Sequence, residues 1–450
     1  MFKKQLLLFS ILFIGFFSNA QNVLPSIGEV AQLFYTTYDV NELSYPQVGF
    51  EKRKSGWTVT TKKYINNELI NEQSYLYYDA TKSAYLKIDI ANKKNNDKVD
   101  YKNYVNDSQI RDYQLHQFYG YDGWYKDVIA DLSKSKNLSD SSLYSLARAY
   151  STYASCLLST QTGDGVKSDL FKLLVEPNCI NTAQLQLYDS IIYLAQQTFK
   201  RLAVQNEKFE TVVGSIAMKY ANEVMVQFHT YLVYADKLVP TFKLPEKLYN
   251  DSTIAATKKL LEHCPNNAIL LSLGDNDFYP VLYVQHKLGT RKDVYLINQS
   301  LLGLDRFIYR TTFNQFNAKP IQLSLSKSFY EGSKNDYIPM EMNDSLMPFK
   351  NIITLIKNDK VNSDGIIKIP ANKFSFDRII VSNNSTTTIA KVAKIEMLIN
   401  VPFLLKSDWI LLDILYNLKG RNICSQTRLY EAFDQLNKYF KKVDEHLYVY

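Results

Sequence analysis

Gly274-Asp275-Asn276-Asp277 sets two carboxylates and an amide between an apolar run and a segment with helical periodicity. Oxygens at that spacing can ligate a hard cation or trade hydrogen bonds with sugar hydroxyls, and a helix start beside them adds amide donors. The same residue types also cap helices, and Asp is favoured at the positive helix end. Other reactive patterns are missing. The chain has no GxSxG elbow, Walker loop, HExxH or GxGxxG. His116, His229, His263, His286 and His446 include no i,i+4 pair, and Cys156, Cys179, Cys264 and Cys424 have neither CxxC nor Cys/His metal spacing. No catalytic residue, metal site or cofactor is therefore assigned. The aromatic run Tyr113–Tyr125, which contains His116, can stack a sugar or simply pack a loop onto helices.

The elements around the acidic motif read as α/β. Ala268–Leu273 is almost continuously apolar, as a strand buried on both faces should be. Phe278–Leu288 has helical spacing with Pro280 in its first turn, Gly289 stops it, and Asp293–Asn298 is a second strand. Such a βαβ unit brings both strand ends to one carboxyl edge, where open α/β sheets bind ligands. Asp275, Asn276, Asp277 and Asn298 are therefore the candidate ligand-binding residues. Arg421 is a weaker candidate. It precedes a strand near Asn422–Ser425 and reaches the Asp pair only if that strand is antiparallel or its leading loop folds over the rim.

The remainder of the chain divides by pattern into three parts. Residues 21–110 carry a helix over 25–38 and a small antiparallel meander, with Trp57–Thr61, Ser74–Tyr78 and Ala84–Ile88 as strands, an Asn66-Asn67 turn and a polar loop over 91–109. Residues 111–245 are helical, with helices from Asp140, over Ala183–Leu202, and over Glu207–Leu238 broken near Gly214. Their small residues alternating with Tyr and Leu fit a degenerate TPR-like array or an ordinary bundle. Pro240 and Pro245 mark the next boundary, and 246–450 is an α/β domain opened by a helix over Asp251–His263. Later elements are a strand at Ile379–Val381, helices near Ser407–Leu418 and Leu429–Val443, and a closing strand at His446–Tyr450. The predicted fold class is α+β multidomain: β-meander, helical middle, and a C-terminal α/β domain with a mainly parallel sheet.

Lys3 and Lys4, the apolar stretch Leu6–Phe17 and Ser18-Asn19-Ala20 read as a signal peptide cleaved between Ala20 and Gln21. Export makes disulfides permissible. Any bridge is expected between Cys156 and Cys179, the pair nearest in sequence, with buried thiols as the default. No later apolar run is long enough for a membrane span. The 450 residues are 46% hydrophobic and 22% charged, which excludes a disordered chain, and a formal charge of +7 over that length makes no nucleic-acid footprint.

The stretch Asn267-Ala268-Ile269-Leu270, Gly274–Pro280, Tyr283, Gly289, Arg291, Asp293-Val294, Asn298 and Ser300-Leu301-Leu302 resembles a signature of the protein O-mannosyltransferase-like membrane proteins of bacteria (the DUF2723 family). The resemblance continues through Lys406-Ser407-Asp408, Leu411–Leu415, Asn417 and Arg421, over most of 250–450. It departs from the family pattern at Phe278, around Asp305-Arg306 and over Arg421–Ser425. It implies a detached extracytoplasmic module like the soluble part of those proteins. The membrane region that should carry their glycosyl transfer has no counterpart here, so that activity is not carried over.

The expected function is thus an exported, periplasmic or secreted, non-catalytic binding or assembly protein. Its partner is a protein or a glycan, and its ligand edge is Gly274–Asp277. The rival is a metal-assisted hydrolase or glycan-modifying enzyme using Asp275 and Asp277.

Overall fold

The computed structural model describes residues 24–39, 47–65, 68–90, 99–158, 182–235, 239, 242–330, 337–358, 367–381, 391–399, 403–418, 421, 423–425 and 440–442. The leader, the Asn66-Asn67 turn, Cys179, Pro240 and the strand expected at 446–450 lie outside them. The described residues form two compact units. One holds those up to Leu158 together with Thr182–Tyr220, and the other those from Ala221 onward.

The first unit opens with helix α1 (Ile27–Thr37). A capping box starts it: the Glu29 amide donates to Ser26 Oγ (3.2 Å), and the Ser26 amide donates to Glu29 Oε2 (2.7 Å). Val30, Ala31 and Phe34 are fully buried. They share a core with residues of an antiparallel sheet ordered β1 (Gln47–Arg53), β2 (Gly56–Ile65), β3 (Glu68–Asp79) and β4 (Ala84–Tyr85). The Phe34 ring meets Phe50 and Tyr77 edge-on, the geometry aromatic quadrupoles favour. Gly56 has φ +132°, and a Cβ there would sit 1.8 Å from the Tyr78 carbonyl oxygen, so only glycine lets β2 leave this turn.

Helices α2 (Asp107–Leu115), α3 (Trp124–Leu132), α4 (Asp140–Leu158) and α5 (Thr182–Gln205) follow. Helix α2 begins inside the stretch expected to be loop, started by a second capping box between Asn106 and Gln109. A helix was expected from Glu207. Instead β5 (Glu210–Thr211) and β6 (Gly214–Ser215) form a small hairpin, with Gly214 at φ +110°, before α6 (Ile216–Tyr234). The aromatic run around His116 turns inward. His116 is buried, stacks on Tyr119 (4.7 Å between centroids) and meets Trp124 and Tyr144 edge-on. It is interior packing and offers no sugar platform.

In the second unit, α7 (Asp251–His263) leads into β7 (Ile269–Ser272), α8 (Asp275–Lys287) and β8 (Tyr295–Asn298). Then come α9 (Asp305–Thr311), α10 (Lys327–Tyr330), β9 (Tyr337–Pro339), β10 (Leu346–Pro348), α11 (Phe349–Lys357), β11 (Lys373–Val381), β12 (Lys391–Ile399), β13 (Phe403–Leu405), α12 (Lys406–Tyr416), β14 (Ile423–Ser425) and β15 (Phe440–Lys442). The parallel sheet has the order β14-β7-β8. Every residue of β7 and β8 is buried, which accounts for their apolar character up to the closing Ser272 and Asn298. A second sheet, β10-β11-β12-β15, is mainly antiparallel, and β9 pairs with β13. The helix expected over 429–443 lies mostly outside the described residues, and its end, Phe440–Lys442, is strand. One core joins Ile269, Leu271, Tyr295 and Ile297 to Trp409 and Ile410 of α12 and Ile352 of α11. Among the described residues no helix is long and apolar enough to cross a membrane.

Candidate ligand edge of the parallel sheet

The carboxyl edge of the β7–β8 pair is set by register: Ser272 lies beside Asn298. The two connections that leave this edge are tied together, since Ser300 Oγ donates to the Leu273 carbonyl (2.5 Å). Asn298 ends β8 and caps the short 3-10 turn Gln299–Leu301, its Oδ1 accepting from the Ser300 amide at 3.1 Å. Ser272 Oγ donates to the Ile297 carbonyl (3.1 Å). Asn298 is fully buried, and its Nδ2 has no hydrogen-bond partner among the described residues. A buried amide donor left unmade costs about 1–3 kcal/mol.

Helix α8 starts from this edge, three residues earlier than its periodicity predicts. Gly274 is its N-cap, with Asp275, Asn276 and Asp277 as the first three helical residues. Neither carboxylate is therefore the capping residue. Both sit in the first turn, where the helix dipole favours negative charge. Pro280 accordingly lies inside the helix, where it has no N–H to give to the Asn276 carbonyl four residues back. Gly274 is extended (φ −175°, ψ −178°), a conformation open to any residue, and a Cβ there would meet nothing within 4 Å. Nothing in the backbone or packing requires glycine at this point.

Asp275 and Asn276 are exposed and Asp277 is half-buried. Burial raises the Asp277 carboxyl above the usual carboxylate range. Asn276 Oδ1 accepts from Asn222 Nδ2 (2.7 Å), and Asn222 Oδ1 accepts from the Tyr249 hydroxyl (3.0 Å). Burial, and then the charge of Asp275, push the Tyr249 phenol well above its usual range. Asn222 and Tyr249 thus extend the polar edge, and neither was found from the sequence. They stand 54 and 27 residues from their partners' positions in this relay, with no local pattern to mark them.

Arg421 does not join this edge. Strand β14 runs parallel to β7, so the residue before it lies at the opposite, amino end. There Arg421 Nε donates to the Asn267 carbonyl (2.9 Å) and Nη1 to the Lys319 carbonyl (3.0 Å). Much of the signature that prompted the family resemblance belongs to the same amino end. Arg291 donates to the carbonyls of Leu261, Cys264 and Pro265 and pairs with Asp293, whose Oδ2 accepts from the Asn267 amide. Tyr283 is spent on the Pro245 and Glu246 carbonyls. Asp413, fully buried in α12, accepts from the Ser324 amide and Asn417 Nδ2. These residues hold the fold together. Asp275, Asn276, Asp277 and Asn298 are gathered at the other end, and among the described residues no three His, Cys, Asp or Glu side chains group as cation ligands.

Residues 253–443 match a family profile described as TMEM260-associated domain 2, so the chain is similar to that family over most of its second unit. No curated protein and no solved structure matches the chain.

Proposed function

We propose that this is an exported, non-catalytic binding protein whose carboxyl-edge residues Asp275, Asn276, Asp277 and Asn298 take a hydroxyl-rich ligand, a glycan. The carrying observation is the Asn298 amide, fully buried at the end of β8 with no hydrogen-bond partner for its Nδ2 among the described residues. A ligand oxygen there would supply the acceptor that folding leaves out. A Cβ at Gly274 would meet nothing within 4 Å, so the start of α8 is open to approach, and carboxylate and amide oxygens suit hydroxyl donors. The family resemblance of this region to extracytoplasmic modules supports the same reading. The metal-assisted alternative has two carboxylates and, among the described residues, no third His, Cys, Asp or Glu side chain grouped with them.

The test is Gly274→Ser in the full chain, with binding read on an array of immobilised neutral oligosaccharides. Serine is at least as good an N-cap as glycine, so stability should hold or rise by a few tenths of a kcal/mol. The added side chain would fill the approach, and binding should fall at least tenfold. Asp275→Asn and Asp277→Asn should weaken binding with little change in melting temperature. If all three variants bind like the parent, the edge is structural and the proposal fails.

A further inference from the structure

We propose that a small cavity between α6, α9 and β8 binds a halide-sized inorganic anion, held by the Arg310 guanidinium and the His229 imidazole. The cavity lies within the second unit. Its walls include His229 from α6, Phe307 and Arg310 from α9, Tyr295 and Leu296 from β8, and Gln315. It has room for a water-sized group and little more. No carboxylate lines it among the described residues.

Arg310 is half-buried and firmly placed. Its Nε donates to the Leu232 carbonyl (2.8 Å) and its Nη2 to the Asn314 carbonyl (3.0 Å). Both partners are neutral, and Nη1 donates to no described residue, nor does any carboxylate pair with this charge among them. The guanidinium is thus partly stripped of water and left without a counter-charge. His229 is only 8% exposed, with Phe278 and Phe307 edge-on to its ring at 5.0 and 5.8 Å. Its nitrogens make no hydrogen bond among the described residues. Burial and the Arg310 charge keep the ring neutral, so it has one N–H to give.

The other polar walls are already occupied. Gln315 Oε1 accepts from the Leu296 amide (2.6 Å) and Gln315 Nε2 donates to the Leu296 carbonyl (3.2 Å). The Tyr295 hydroxyl donates to the Phe313 carbonyl (3.2 Å). What the cavity leaves unmet is an imidazole N–H, a guanidinium nitrogen and a positive charge. A water molecule would answer the donors alone. A small anion answers donors and charge together, through the stronger, charge-assisted kind of hydrogen bond. The tight walls admit a halide and exclude sulfate, phosphate and organic carboxylates.

The test measures line broadening of the chloride NMR signal by the full chain in sodium chloride. Bromide should reverse the broadening. Sulfate, at a concentration that displaces chloride from exposed lysines and arginines, should leave it in place. At constant ionic strength, replacing gluconate by chloride should raise the melting temperature of the parent by about 3–6 °C and that of Arg310→Gln by less than about 1 °C. Broadening that sulfate removes as readily as bromide would overturn the proposal, as would a parent whose melting temperature ignores the replacement. So would a chloride response that survives intact in folded Arg310→Gln protein. Should that variant fail to fold, the bromide–sulfate comparison on the parent decides alone.

Discussion

His116 and His229 are each buried in a different unit, and both are held neutral. Burial, and then the charges of Arg148 and Lys52, take His116 down to about 3. Burial, and then Arg310, take His229 down to about 4. An unfolded imidazole protonates near its ordinary value of about 6.5. As pH falls below that value, the unfolded chain binds a proton that the folded chain refuses, and stability drops until the folded value is reached. Each unit should therefore lose up to about 1.4 kcal/mol of stability per pH unit between about pH 6 and pH 4. Asp112, which burial raises above the carboxylate range beside His116, works the other way in the lower part of that window. Urea denaturation at stepped pH measures the slope. His116→Asn should lower stability at pH 7 and flatten the acid limb of the first unit. An unchanged limb would mean that the imidazole is not what titrates.

Arg291 shows what a single side chain does for an element. It sits at φ +46°, in the left-handed region where a non-glycine residue is uncommon, at the turn between α8 and β8. Its planar fork holds three carbonyls from the α7–β7 turn and a carboxylate, which an ammonium cannot match in geometry. Arg291→Lys should cost about 2–3 kcal/mol by chemical denaturation, with the loss coming from the second unit. Arg291 also holds the Asp293 carboxyl down to about 2. That contribution is present above the ordinary Asp range and is lost as pH falls toward 2, so the variant and its parent should converge in strong acid. Element boundaries were legible where the cause is local. Helix α7 spans the residues its pattern marks, because Asn250 caps it and its apolar positions repeat at helical spacing. Helix α8 was read as starting at Phe278, because Asp-Asn-Asp is poor helix sequence in the interior. In the structure it is the first turn, where those residues are favoured.

For the whole molecule, the boundary between compact units falls within α6, earlier than the prolines at 240 and 245 that mark the change of pattern. The reason is packing within the second unit: Phe228 meets His286 in a tilted ring contact, His229 meets Phe278 and Phe307, and Arg310 Nε donates to the Leu232 carbonyl. A fragment over 221–450 should unfold in one cooperative transition. A fragment over 246–450 lacks those aromatic contacts and should melt at least 5 °C lower or fail to fold. Equal melting temperatures would place the boundary back at the prolines. The export proposal is checked separately, by N-terminal mass spectrometry of the protein recovered outside the cytoplasm. A chain beginning at Gln21 is expected, and an intact Met1 would reject it.

The sequence by itself determined the class of each region. Hydrophobic period, caps and turn residues act over a few positions, so the meander, the helices and the βαβ unit could be read directly. It also brought Asp275, Asp277 and Asn298 to one edge, because consecutive parallel strands must end on the same side. What it left open depends on which distant segments meet. Only the tertiary structure put β14 beside β7 in parallel register, sending Arg421 to the amino end, 154 residues along the chain from the carbonyl it binds. The fold of α6 likewise brought Asn222 to Asn276 and to the Tyr249 hydroxyl. Such meetings are selected by burial and register summed over whole sheets and cores. No short stretch of residues carries that sum, which is why spacing along the chain counted Arg421 with the Asp pair while it set Asp275, Asp277 and Asn298 at one end of the strands.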